Sequence, residues 1–87
     1  MSTNCNLNWL DVSNITTMAN LFAKTKFNGD ISKWNVSNVT NMAGMFAGEI
    51  NPYNDRKSIY SEFNGDISNW DVSNVTNMKD MFSRSVF

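Results

Sequence analysis

The chain repeats itself, and self-similarity constrains a fold more tightly than any local propensity. The stretch Phe27 to Phe46 matches Phe63 to Phe82 at 16 of 20 positions. A weaker first copy runs from Leu7 to Phe22, where Val12, Ser13, Asn14, Thr16, Met18, Ala19 and Phe22 recur 24 residues later. Aligning Trp9 with Trp34 needs a gap; the 24-residue shift instead sets Leu7 on Ile31, Leu10 on Trp34 and Val12 on Val36. In that register Trp9 falls on Lys33 and reads as an exposed aromatic, while Leu10, Trp34 and Trp70 form one inward row beside Val12, Val36 and Val72. Phe22 to Phe27 spans five residues and Phe46 to Phe63 spans seventeen, so 12 residues are inserted after the second copy. The units are about 3–26, 27–62 with the insertion, and 63–87, within a single repeat domain over 1–87.

Within a unit the apolar positions are Ile31, Trp34, Val36, Val39, Met42, Met45 and Phe46. Trp34 and Val36 are two apart, as on a strand face, and Met42, Met45 and Phe46 follow the three-and-four spacing of a helix. Thr40, Ser37 and Asn38 offer side-chain oxygens for a helix start, and Asn28-Gly29 and Asn64-Gly65 offer positive φ for the return turn. The expected fold class is therefore an α/β repeat, a solenoid of about three strand-turn-helix units, because a unit of roughly 24 residues cannot bury its apolar face alone.

Composition narrows the function classes. With 41% hydrophobic and only 17% charged residues among 87, the chain is expected to fold, as one domain. Seven Lys and Arg against eight Asp and Glu give a net charge of -1, no footprint for nucleic acid. Histidine is absent and Cys5 is the single cysteine, so the reading assigns no cofactor, metal site or catalytic triad. Without a paired acid–base constellation outside the repeat, the chain is expected not to be an enzyme. No apolar run reaches the ~20 residues of a membrane span, so membrane insertion is not expected. The sequence opens without the basic or apolar part of a signal peptide and, as given, reads as cytoplasmic.

The residues Phe-Asn-Gly-Asp-Ile-Ser-x-Trp-(Asn/Asp)-Val-Ser-Asn-Val-Thr-Asn-Met-x-x-Met-Phe closely resemble the short repeat of mycoplasma-type surface lipoproteins, placed with the BspA-like leucine-rich-repeat proteins. The resemblance covers Leu7 to Phe87 apart from the insertion. It implies a leucine-rich-repeat-like right-handed solenoid that binds rather than catalyses, often at a cell surface. That family's signal or anchor sequence, many repeats and uninterrupted array are not expected of this chain as given.

Several motifs carry a structural reading beside a functional one. Asp30 and Asp66 of the Asn-Gly-Asp turns could stack as a calcium site, but each is better explained as accepting N–H bonds in its own turn. Asn14, Asn38 and Asn74 are expected, as in a leucine-rich repeat, to point inward and bond the adjacent coil's backbone; they also fit a glycosylation pattern that matters only on export. Met18, Met42, Met45, Met78 and Met81 recur with Phe22, Phe46 and Phe82 and read as core. Cys5 lacks a neighbouring base.

Two surfaces are candidates for a protein partner. Trp9, Lys33 and Asn69 share one unit position, and Asp11, Asn35 and Asp71 another, so both rows line one face. The insertion, about Pro52 to Glu62, is expected to form a short amphipathic helix starting at Asn54 and ending at the Asn64-Gly65 turn, projecting Arg56, Lys57 and Tyr60, with Tyr53 just before it on the same candidate surface. The function expected is a non-catalytic protein-interaction module; the alternatives are a self-associating structural protein or a fragment of a surface adhesin. A homo-oligomer is expected, a two-fold dimer closed by Met81, Phe82, Val86 and Phe87 of the last unit.

Overall fold

Each unit is a run of four tight turns closed at the same positions in every copy. The computed structural model describes residues 5–49, 51–54 and 58–85. In the first turn the N–H of Leu10, Trp34 or Trp70 donates to the carbonyl of Leu7, Ile31 or Ile67. Ile15, Val39 and Val75 donate in the same way to Val12, Val36 and Val72. Two further turns follow in succession, from Leu21, Met45 and Met81 to Met18, Met42 and Met78, then from Ala23, Ala47 and Ser83 to Asn20, Gly44 and Asp80.

Short side chains supply the locks that make these turns. The Asp30 Oδ1 accepts both the backbone N–H and the hydroxyl of Ser32, at 3.0 and 2.7 Å. Asp11 with Ser13, Asn35 with Ser37 and Asp66 with Ser68 repeat this pair of bonds. An aspartate or asparagine that bonds the backbone two residues on offers the chain a turn in place of a ladder, which is why no strand forms between Ile31 and Val36.

The expected α/β solenoid of strand-turn-helix units is thereby overturned: among the described residues there is no helix and no extended strand, only isolated bridges. The helix fails at one column, where Asn20, Gly44 and Asp80 hold φ of 59, 64 and 57°. A left-handed residue cannot continue a right-handed helix, and it occupies the third position of a turn, where positive φ is suited. Lys24 and Arg84 repeat it four residues later, at 60 and 55°. Gly29 and Gly65 do not take positive φ, so the return to the next unit uses ordinary backbone.

The units stack in parallel register through the bridges Asn6 to Asp30, Thr17 to Asn41 and Asn41 to Asn77. Backbone N–H groups left free by the turns donate across the stack: Met18, Asn20, Phe22 and Lys24 to Asn41, Ala43, Met45 and Ala47, at 2.8 to 2.9 Å. Met42, Gly44, Phe46 and Gly48 then donate to Asn77, Lys79, Met81 and Ser83. Equivalent side chains consequently lie on top of one another. Phe22, Phe46 and Phe82 form a column of near-parallel rings with centroids 5.8 and 5.5 Å apart, and Trp34 lies 6.5 Å from Trp70. Phe27 and Phe63 lie 6.2 Å apart in a second column, set against Phe22 and Phe46 respectively. Offset stacking at these spacings adds directional attraction to the area buried.

The indole N–H groups find partners in the same direction. Trp34 donates to the Leu7 carbonyl at 2.8 Å and Trp70 to that of Ile31 at 3.1 Å. The asparagine ladder is present too, from Asn38 to the Ser13 carbonyl and from Asn74 to that of Ser37, on the exposed side of the coils. Every apolar position expected inside the middle unit is buried. Leu10 is not: it is exposed, because leucine at the outer side of the first unit has neither a covering coil nor an indole N–H to anchor it.

Candidate functional site

In-register stacking decides which side chains form rows. The first turn of each unit carries Trp9, Lys33 and Asn69 at its third position, and all are exposed, Trp9 to 76%. Asp11, Asn35 and Asp71 are exposed as well, but each spends its side-chain oxygen on its own turn, to Ser13, Ser37 and Ser73. Their bonds to serine hydroxyl and backbone hold the Asp11 and Asp71 carboxyls below the usual carboxylate range. The same cause at Ser32, aided by Asn8 and Lys33, lowers Asp30 to about 2. These carboxylates are turn locks held ionised at neutral pH, so the exposed side chains of this face that lock no turn are Trp9, Lys33 and Asn69.

The described limbs of the insertion, 51–54 and 58–61, pair as in a hairpin and are not the expected helix. Glu49 and Ile59 exchange both backbone bonds across an antiparallel bridge, and Asn51 opens a tight turn that carries Pro52 and Tyr53. Gly48 and Ser61 flank it and dock on the consecutive carbonyls of Ser83 and Arg84. At Gly48 an added Cβ would lie 2.4 Å from the carbonyl oxygens of both Arg84 and Ile59, so only glycine lets the two crossing backbones meet. Tyr53 at the turn is 96% exposed and Tyr60 is exposed on the returning limb. Arg56 and Lys57 lie outside the described residues.

Sequence reasoning missed a shallow groove of about 350 Å³ across the left-handed column. Its floor is Ala43, Gly44, Ala47 and Gly48 of the second unit, and Asn20, Lys79, Asp80 and Arg84 stand around it. A signal was available: where the third unit has Lys79-Asp80 and Ser83-Arg84, the second has only small residues. Such a floor of methyl groups and backbone, walled by two cations and a carboxylate, suits a polar chain segment.

Of the residues expected to close a dimer, Met81 and Phe82 pack within the chain. Met81 is buried, its carbonyl accepting the Phe46 N–H at 2.9 Å, because the turn over Met78 to Met81 points it inward like Met45. Phe82 is half-buried against the Phe46 ring. Val86 and Phe87 lie outside the described residues. Among those described, no group of three or more His, Cys, Asp or Glu is placed to hold a metal ion, and no helix is long and apolar enough to cross a membrane.

Fold and surface together define a small turn-rich repeat protein with exposed aromatic residues. The chain belongs to the family described as Mycoplasma protein of unknown function, DUF285, whose model matches residues 1–87. That agrees with the mycoplasma-type part of the resemblance; the BspA-like leucine-rich-repeat part has no such support. Comparison with curated proteins and with solved structures returned no match.

Proposed function

We propose that the chain is a non-catalytic protein-interaction module that binds a protein partner through the row bearing Trp9, Lys33 and Asn69 and through the hairpin bearing Tyr53. The observation that carries this reading is the exposure of Trp9 and Tyr53, at 76% and 96%, in positions the stack does not use. Large aromatic side chains left in water, in a chain whose other tryptophans are buried, are the residue type that dominates binding hot spots. The test is capture from a mycoplasma lysate with wild type, Trp9→Ala and Tyr53→Ala, followed by titration of the purified partner. A partner bound directly and weakened tenfold or more by either substitution supports the reading; one that binds all three equally, or none, refutes it.

A second reading, a self-associating structural protein, is favoured by the exposure of Leu10, Ile15 and Leu21 on the outer side of the first unit and of Met78 on the third. Display at a cell surface is a further proposal, suggested by the mycoplasma-type resemblance and tested by protease accessibility on intact cells.

A further inference from the structure

The two outer sides of the stack have opposite hydrogen-bond polarity. In the strips 18–24 and 42–48 the alternate N–H groups all point to the following unit, and the carbonyls that receive them, on 41–47 and 77–83, all point back. The outer side of the third unit is accordingly a row of donors: the N–H groups of Met78, Asp80 and Arg84 have no acceptor among the described residues. The outer side of the first unit is a row of acceptors, since the carbonyls of Thr17, Ala19, Leu21 and Ala23 receive no donor among the described residues.

On the side of the coil that carries Ser13 to Thr16 and its equivalents, the polarity is reversed. Thr40 and Thr76 donate to the Thr16 and Thr40 carbonyls, and Asn38 and Asn74 to those of Ser13 and Ser37. This leaves the Ser73 and Thr76 carbonyls on the third unit, and the Asn14 amide and Thr16 N–H on the first, without described partners. At every one of these positions the first unit carries what the third unit lacks.

We propose that a second copy of this chain stacks head to tail, its first unit on the third unit of the copy before it. This rests on the self-association reading and specifies its geometry. Met78, Asp80 and Arg84 donate to Thr17, Ala19 and Ala23 of the next copy, and its Asn14 and Thr16 donate to Ser73 and Thr76, in the register already used inside the chain. Apolar columns continue in the same step. Leu10, Ile15 and Leu21 are exposed at 38, 42 and 48%, while the residues at the same positions in the middle unit, Trp34, Val39 and Met45, are at 5% or less. A two-fold pair through the third units instead sets one row of donors against another. Head-to-tail contact is heterologous and does not close, so association proceeds to linear arrays.

The test uses the 87-residue chain with Cys5→Ser, carrying either Thr16→Cys or Thr76→Cys. Adjacent coils lie about 4.8 Å apart, within reach of a disulfide. A single chain carrying both Thr16→Cys and Thr40→Cys is the control that the stack forms and that oxidation works. Under mild oxidation, the proposal expects cross-linked dimers when the two single variants are mixed and none from either alone. Cross-linking of Thr76→Cys with itself overturns it in favour of a two-fold pair. Sedimentation equilibrium that shows larger species without any mixed cross-link overturns the head-to-tail geometry alone. A monomer across a wide concentration range overturns self-association as well.

Discussion

Replacing Gly44 by alanine separates stacked turns from a helix by the sign of its effect. Gly44 holds φ at 64°, and an added Cβ would lie 2.3 Å from the Asn20 Oδ1. That oxygen ends an exposed, flexible side chain and can swing away, so the backbone term dominates. An L-residue pays about 1–2 kcal/mol to sit in the left-handed region. Alanine returns about 0.4–1 kcal/mol by restricting the unfolded chain. With the displacement of Asn20 added, Gly44→Ala is expected to destabilise by about 1 kcal/mol, and each such kcal/mol lowers Tm by about 4–8 °C in a domain of this size. A helix over Met42 to Phe46 gives the opposite result, because alanine there is better than glycine by about 0.8–1 kcal/mol. Thermal and urea unfolding monitored by tryptophan fluorescence read the difference. Gly44→Asn should fall between glycine and alanine, since asparagine tolerates this conformation. A Gly44→Ala protein as stable as wild type or more so refutes the turn geometry.

Trp34→Ala removes a buried ring and its bond to the Leu7 carbonyl, and is expected to cost about 3–5 kcal/mol in urea denaturation, whereas Trp9→Ala should stay within about 0.5 kcal/mol. Deleting Glu49 to Tyr60 joins Gly48 to Ser61, which already dock on neighbouring carbonyls, and restores the five-residue step from Phe46 to Phe63; the deletion should keep the wild-type pattern of dispersed amide resonances, and collapse of that pattern counts against the hairpin as an excursion. Bonds from the serine two residues on hold the Asp11, Asp30, Asp66 and Asp71 carboxyls below the usual carboxylate range in the folded state, Asp30 at about 2. The native protein therefore binds fewer protons than the unfolded chain in this range, so stability is fully present above about pH 4–5 and falls as pH drops toward 2. Urea midpoints across that window check it, and a midpoint that rises on acidification contradicts it.

The repeat period, the core of the middle unit and the asparagine ladder were legible because each depends only on which residues recur at one position. Ile31, Trp34, Val36, Val39, Met42, Met45 and Phe46 are all buried. The local backbone was misread because two successive turns space Met42, Met45 and Phe46 as one helical turn does. What distinguishes them is the column Asn20, Gly44 and Asp80: three residue types that accept positive φ, visible once the copies are aligned. Lys24 and Arg84 give no such signal, since neither favours the conformation it holds. Trp34 and Val36 alternate like a strand, yet the serine that follows each Asp or Asn by two residues marks one turn before Trp34 and another around Val36. Burial at the ends depends on what covers a unit, which is why Leu10 and Trp34 share a position and differ in exposure. In the insertion, the four-residue spacing of Ile59 and Phe63 suggested a helix, whereas Ile59 closes the hairpin and Phe63 belongs to the next coil.

Stacking of the units through alternate N–H groups is open to direct observation by NMR couplings across hydrogen bonds. Amide nitrogens of Met42, Gly44, Phe46 and Gly48 should couple to the carbonyl carbons of Asn77, Lys79, Met81 and Ser83, 35 residues further along the chain. Coupling from Phe46 back to Met42, the bond of an α-helix, in place of coupling to Met81, would contradict the fold described here.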